Sequence, residues 1–222
     1  MVKLDILSDP ICPWCYIGKA NLFRALEQRP DHPFAIEWHP FRLNPDMPRD
    51  GMDRRAYLEA KFGGQEGAVN AYLPVQQHAE AAGLEIDLAA IARTPDTTDA
   101  HRLIHWAGLE GRQTPVVSFL FDAYFRHGRD IGDGAVLAEL GAQAGMDGEM
   151  VARLLATEAD RDLIESRDAH ARARGVGSVP TFVVAEHHVV PGAQPVELWL
   201  QVIDELAARQ DGGAAATPEG RT

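Results

Sequence analysis

Among 222 residues there are two cysteines, Cys12 and Cys15, and they form a C-x-x-C pair around Pro13 and Trp14. Thiols at this spacing can exchange with a disulfide: one thiolate attacks, a mixed disulfide forms, and the second thiol resolves it. The flanking pattern sharpens that reading. Val2–Leu7 alternates like a strand, and Leu22, Phe23 and Leu26 recur at helical spacing. The pair therefore sits where a strand hands over to a helix. Backbone N–H groups of the first helical turn point toward Cys12 there and favour its thiolate. Cys12 is expected to be the exposed nucleophile and Cys15 the shielded resolving thiol. The alternatives are inert buried cysteines or half of a zinc site. Zinc needs about four ligands. No second C-x-x-C or spaced histidine pair stands out, and the adjacent His187 and His188 chelate poorly together. No metal site is expected.

The elements that must position the pair follow along the chain. Phe34–Phe41 reads as a second strand ended by Pro40 and the Asn44–Pro48 loop. Strand, helix and strand in about forty residues make a βαβ unit with a right-handed crossover, so both strands end on one edge. That edge would carry Cys12, His39 and Arg42. Either of the last two could place positive charge near the thiolate, while Asp9 would oppose it. From about 51 to 174 the pattern is almost wholly helical. Val117, Leu120, Phe121, Tyr124 and Phe125 keep one rhythm, with Thr114 as the expected N-cap and Pro115 at the first helical position. Asp133 and Asp147 are expected caps for two further helices, and Gly63, Gly64, Gly83 and Gly111 mark breaks. Strand character returns at Thr181–Ala185 and Val189–Val190 as a hairpin, and a last amphipathic helix starts near Pro195. The order is βαβ, helices, then ββα: an α/β thioredoxin fold interrupted by a helical insertion. The expected division is a discontinuous thioredoxin-fold domain over 1–50 and 175–209, an insertion over 51–174, and a disordered tail over 210–222.

Composition narrows the function classes. Net charge is −12, from 21 basic and 33 acidic side chains, which disfavours nucleic acid as a partner. No apolar run approaches the roughly 18 residues of a membrane span. No basic segment followed by an apolar stretch opens the chain, so the expected location is the cytoplasm. In a reducing compartment, two cysteines this close are more readily catalytic than structural.

The segment Ser8–Gly18, SDPICPWCYIG, resembles the active-site segment of DsbA-like oxidoreductases of the FrnE type. These are related to kappa-class glutathione transferases and 2-hydroxychromene-2-carboxylate isomerases. Pro40–Asp46, Asp99–Ala107, Gly175–Val184 and Gly192–Pro195 extend the resemblance over about 3 to 197. It implies a thiol–disulfide oxidoreductase with helices inserted into a thioredoxin fold, and a cis-proline at Val179–Pro180 facing the cysteines. Two departures fall where substrate or glutathione contacts would lie, and leave the cysteine chemistry untouched. Thr94–Thr98 replaces an asparagine-rich approach to His101, and Pro191 stands where a serine is usual. The second, C-terminal cysteine motif of some FrnE-type relatives is missing, so this chain cannot run that relay.

The expected site is then Cys12 and Cys15 as catalytic thiols, with Pro13, Trp14, Val179, Pro180 and His101 against the substrate. Trp14 is read as a surface contact or as plain packing. His101 is read as a substrate contact in a lid of helices, or as a packing histidine. Val179 would offer its backbone to a substrate strand. The function expected is reduction, formation or isomerisation of disulfides in a protein or small-thiol partner. No bound cofactor is expected, glutathione is a candidate co-substrate, and a homodimer is one candidate assembly. Two rival functions stand beside it: a glutathione-dependent transferase or isomerase, and a client-binding protein that needs neither thiol.

Overall fold

A computed structural model describes the backbone of residues 1–214 and side chains through residue 209. Strand β1 (Val2–Ser8) is central because three of its last four side chains and those around them are buried. It pairs in parallel with β2 (Phe34–Pro40), in the register Val2 to Phe34 through Ser8 to Pro40. Helix α1 (Pro13–Gln28) makes the crossover between them. On its other side β1 pairs antiparallel with β5 (Thr181–Val184), which turns into β6 (His188–Pro191). The sheet order is β2-β1-β5-β6. The hairpin loop has three residues, 185–187: Ala185 and Glu186 both take positive φ, and His187 N–H closes the turn on the Val184 carbonyl at 3.2 Å. This is the βαβ–ββα arrangement the pattern predicts.

Between β2 and β5 lie seven helices and one two-residue ladder. The helices are α2 (Arg54–Phe62), α3 (Gln65–Ala81), α4 (Thr98–Leu109), α5 (Gln113–Phe125), α6 (Gly134–Gln143), α7 (Gly148–Leu155) and α8 (Arg161–Ala173). The ladder pairs β3 (Met52–Asp53) with β4 (Arg93–Thr94), an addition to the wholly helical expectation. Asp133 and Asp147 cap α6 and α7 as expected, each accepting from first-turn N–H groups. Thr114 does not cap α5, whose first helical residue is Gln113. The reason is a tertiary competitor: the Thr114 hydroxyl takes the Trp38 indole N–H at 3.0 Å. The Gln113 amide brackets the Trp38 backbone N–H and C=O at 2.9 and 3.1 Å. Those bonds tie α5 to β2.

The final helix, α9 (Val196–Ala214), packs on α1 and runs past the expected start of the tail. Each added residue closes one more helical hydrogen bond at little cost once a helix is nucleated. Residues 215–222 of that expected tail lie outside the described residues. Buried residues from the sheet, α1, α4, α5 and α9 form one contiguous cluster. Tyr16 stacks on Phe121 at 5.1 Å and Phe182 meets Trp199 edge-on at 4.7 Å. A smaller cluster of Ile17, Val75, Ala79 and Ala82 fastens α3 to α1. The inserted helices thereby build one wall in front of the cysteines.

Candidate active site

Cys12 is the N-cap of α1 and Pro13 its first residue, where a missing N–H costs nothing. The first turn closes through Cys15 N–H and Tyr16 N–H on the Cys12 carbonyl, at 3.1 and 3.2 Å. No side chain caps this end and no acidic residue lies in its first turn. A negative charge at the N-cap position would therefore face an uncompensated helix dipole. Cys12 and Cys15 approach to 3.3 Å, both as free thiols.

Access separates them less than expected. Cys12 is 3% exposed and Cys15 2%, so the thiol expected to be exposed is covered as well. The cover is local, because the Cys12 Sγ points at the Val179 carbonyl at 3.6 Å. What distinguishes the thiols is the space beside them. Cys12, with Ile11, Pro13 and Trp14, lines a cleft of about 390 Å³, and Cys15 does not. Burial pushes the Cys15 thiol well above its ordinary range, and the adjacent Cys12 adds to this; the Ser8 side chain and Asp9 N–H partly oppose it.

The far wall of the cleft is α2 and α3, through Arg54, Tyr57, Lys61, Phe62 and Tyr72, and its end is Gly177–Val179. Arg54 is 6% exposed. It donates to Tyr72 Oη at 2.7 Å, Tyr124 Oη at 2.9 Å and Thr94 Oγ1 at 3.4 Å. Its Nε has no partner, and no carboxylate pairs with it among the described residues. The sequence reading missed Arg54. Nothing in the run Met52–Tyr57 separates it from Arg55, which faces solvent and pairs with Glu59.

Pro13, Trp14 and Val179 come together in the cleft with Cys12. Trp14 also meets His78 edge-on at 5.1 Å, so packing and cleft lining coexist in it. The Val179–Pro180 bond is cis. Pro180 lies behind Val179 against α1, where a β-carbon on Gly18 would meet its ring at 3.0 Å. His101 is not in the cleft. It is 3% exposed on α4, and its Nε2 stands 4.0 Å from Asp9 Oδ1. His39 and Arg42 also miss the cleft. His39 binds Asp5 at 2.6 Å, while Arg42 is buried against Thr98 and Asp168. Cationic character at the cysteines thus comes from Arg54 and Lys61 instead.

Asp9 is fully buried behind the site. It accepts N–H groups from Leu43 at 2.6 Å and Ile11 at 3.3 Å, and the Thr97 hydroxyl at 3.4 Å. Desolvation outweighs those bonds and pushes its carboxyl up to about 7. Burial, with Arg42 nearby, pushes His101 down to about 3. The pair is therefore not an ion pair near neutral pH. Among the described residues one cluster has metal-ligand character, Asp5, Glu37 and His39, and neither cysteine belongs to it. The Lys3 ammonium already bridges its two carboxylates at 2.9 and 3.0 Å.

A dithiol at a helix N-terminus, facing a proline-preceded strand in a βαβ–ββα sheet, defines a protein of the thioredoxin class. The chain belongs to the DsbA-like thioredoxin domain family, whose model matches residues 3–204. It is similar to the uncharacterized protein YwbO of Bacillus subtilis, with 27% identity over 92% of this chain and 96% of that one. It is also similar to the crystal structure of a probable DsbA oxidoreductase from Streptomyces coelicolor. The identity there is 30% and the TM-score 0.82, over 100% of this chain and 94% of that one. The fold is shared with the cytosolic disulfide reductase DsbM of Pseudomonas aeruginosa, at 19% identity and TM-score 0.66. That comparison covers 93% of this chain and 99% of that one. DsbM has also been solved with GSH. No helix among the described residues is long and apolar enough to cross a membrane.

Proposed function

We propose that the protein is a thiol–disulfide oxidoreductase that works through the Cys12–Cys15 pair on disulfides entering the Arg54 cleft. The observation that carries this is the pair itself: thiols 3.3 Å apart at an unneutralised helix N-terminus, one of them lining a cleft. Cys12 thiolate attacks the substrate disulfide, the leaving thiolate departs, and Cys15 displaces the second thiol as the Cys12–Cys15 bond forms. The reverse sequence oxidises a dithiol. Pro13, Trp14 and the Val179 backbone hold the substrate beside Cys12. A cytoplasmic setting favours reduction or isomerisation. The cleft's cations, Arg54 and Lys61, favour a substrate with carboxylates near its sulfurs. Glutathione disulfide has that chemistry, and so does an acidic peptide. The GSH complex of DsbM is consistent with glutathione as co-substrate.

The test is a redox titration of Cys12–Cys15 against glutathione buffers, with turnover of glutathione disulfide and a peptide disulfide measured in parallel. The expected result is one two-electron transition and turnover that requires Cys12. No turnover by the wild type, with client binding that survives loss of both cysteines, would hand the protein to the client-binding reading.

A further inference from the structure

A second groove, of about 680 Å³, runs between α1, the C-terminal end of α3 and α5, and it shares no lining residue with the Cys12 cleft. Tyr16, Phe23, Leu84 and Phe119 make much of its wall apolar, and Lys19 stands among them, half-buried on α1. The chain has three lysines, and the fold treats them differently. Lys3 is clamped by Asp5 and Glu37 at 2.9 and 3.0 Å, and Lys61 donates to Tyr57 Oη at 2.6 Å. Lys19 has no carboxylate or hydroxyl partner among the described residues, and its Nζ lies 4.5 Å from the centre of the Phe23 ring. Burial in apolar surroundings disfavours an ammonium ion more than a neutral amine. It pushes Lys19 down to about 8, with Glu27 opposing, whereas the bonds to Asp5 and Glu37 push Lys3 up to about 12. The charged groups that share the groove with Lys19 are Glu27 and Arg24 of α1, Glu80 of α3 and Asp122 of α5. Asp122 is held by Arg126 at 2.9 Å.

We propose that Lys19 is a site of covalent acylation by small neutral acyl thioesters that enter this groove. The site is independent of the dithiol reading, since neither cysteine lines the groove. In the step, the lone pair of the Lys19 amine attacks the thioester carbonyl carbon. The C–N bond forms, the C–S bond breaks, and the thiol leaves with the proton that the amine gives up. The balance needs no oxidant or reductant. A desolvated lysine without a clamping partner is the kind that acts as a nucleophile near neutral pH. The rim selects the donor. Glu27, Glu80 and Asp122 outnumber Arg24 there, so an anionic donor such as an acyl phosphate is repelled and a neutral thioester is not. The product is an amide, which removes the positive charge from α1 and leaves the acyl group among the aromatic rings of the groove.

The probes are the acetyl thioester of N-acetylcysteamine and acetyl phosphate, which carry one acyl group on a neutral and an anionic leaving group. The full chain with Cys12→Ser and Cys15→Ser keeps thiols from intercepting either reagent. Peptide mapping by mass spectrometry then follows Lys19, Lys61 and Lys3 separately. At about pH 8 the thioester should acetylate Lys19 roughly tenfold faster, or more, than either other lysine. The Lys19 rate should rise with pH through an inflection near 8, and in denaturing urea the preference should vanish with the burial that creates it. Phe23→Glu places a carboxylate one helical turn from Lys19, so it should slow acetylation there by roughly tenfold and leave the other two lysines unchanged. Acetyl phosphate should favour Lys19 less than the thioester does. Equal thioester rates at the three lysines, a faster rate at Lys61, or a preference that persists in urea would overturn the proposal. Equal preference with both reagents would overturn the choice of a neutral thioester as donor. Should Phe23→Glu fail to fold, the order of rates and the pH profile of the parent chain decide the question by themselves.

Discussion

The cleft before Cys12 and the chamber behind the site where Asp9 and His101 approach each other both bury ionisable groups, and they treat them in opposite ways. In the cleft, Arg54 is surrounded by the hydroxyls of Tyr72, Tyr124 and Thr94 and stacks near two aromatic faces, at 5.4 and 5.7 Å. Those groups solvate a cation without cancelling it. In the chamber, Asp9 and His101 stand close enough to pair, yet burial drives each toward neutrality. Neutral partners leave a cation free to receive an anionic substrate. A hydrogen-bonded cation on one side and two neutralised groups on the other flank the two thiols.

The largest effects should come from those thiols, where the two regions join. Cys12→Ala should abolish turnover, because the one sulfur that lines the cleft among the described residues is gone. Cys15→Ala should leave the first attack and stop at a mixed disulfide, which intact-mass spectrometry would detect as the mass of one bound substrate thiol. If Cys12→Ala traps adducts instead, the cleft and chamber have exchanged roles and the assignment fails.

Arg54→Met comes next and concerns the cleft alone. Charge-assisted hydrogen bonds contribute about 1.5–3 kcal/mol, so KM for an anionic disulfide should rise roughly tenfold or more. For a neutral disulfide KM should barely move, and kcat should change little for either. Arg54→Lys should recover part of the loss, since it keeps the charge but not the fork of donors. An equal rise in KM for both substrates would mean that Arg54 only shapes the cleft.

Gly18→Ala addresses the partition between the regions. A β-carbon there would meet the Pro180 ring at 3.0 Å, Phe182 Cζ and the Ala193 backbone at 3.4 Å. Neighbours this tight must shift, and overpacking of this kind costs about 1–3 kcal/mol. Denaturant unfolding would read the loss. A variant as stable as the wild type would show that α1 and the strand can separate freely.

The cleft's cysteine half was legible in the sequence because it is local: two thiols, a strand before them and a helix after them lie within 28 residues. The parallel pairing of β1 with β2 follows from the βαβ spacing, and the aspartate caps on α6 and α7 from the helical rhythm that begins after Asp133 and Asp147. Arg54 and the placement of His101 were not legible, because both depend on long-range packing. Arg54 is buried by tyrosines 18 and 70 residues away, and nothing in its own neighbourhood records that. His101 sits in a stretch that resembles a site motif, yet the turn of α4 that carries it faces Asp9. Arg42 and His39 end on the expected sheet edge, but their counter-charges Asp168 and Asp5 draw them away from the cysteines. Arg102 is a further case. It is fully buried on α4, and its guanidinium takes the carbonyls of Leu154, Thr157 and Ala159 to hold the end of α7. Charge in a helical pattern reads as surface unless its partners are already in view.

The smallest expected effect is a cancellation inside the chamber. Asp9 has a folded value near 7 against an ordinary 3.8, so the folded state holds its proton more tightly than the unfolded chain. Its contribution to stability is complete below about 4 and is lost as pH rises toward 7. His101 has a folded value near 3 against an ordinary 6.5. Its contribution is complete above about 6.5 and is lost as pH falls toward 3. Across pH 4 to 6.5 the two slopes oppose each other, and the wild type should show little net dependence from this pair. Single variants uncover the terms. Relative to wild type, His101→Gln should lose stability as pH rises from 4 to 6.5, because the rising term is gone. Asp9→Asn should gain relative stability over the same range, because the falling term is gone. Each difference should amount to a few kcal/mol at most, read as the change in denaturant midpoint with pH. Difference curves that are flat, or that slope the same way in both variants, would show that the chamber is open to water, and the contrast with the cleft would collapse.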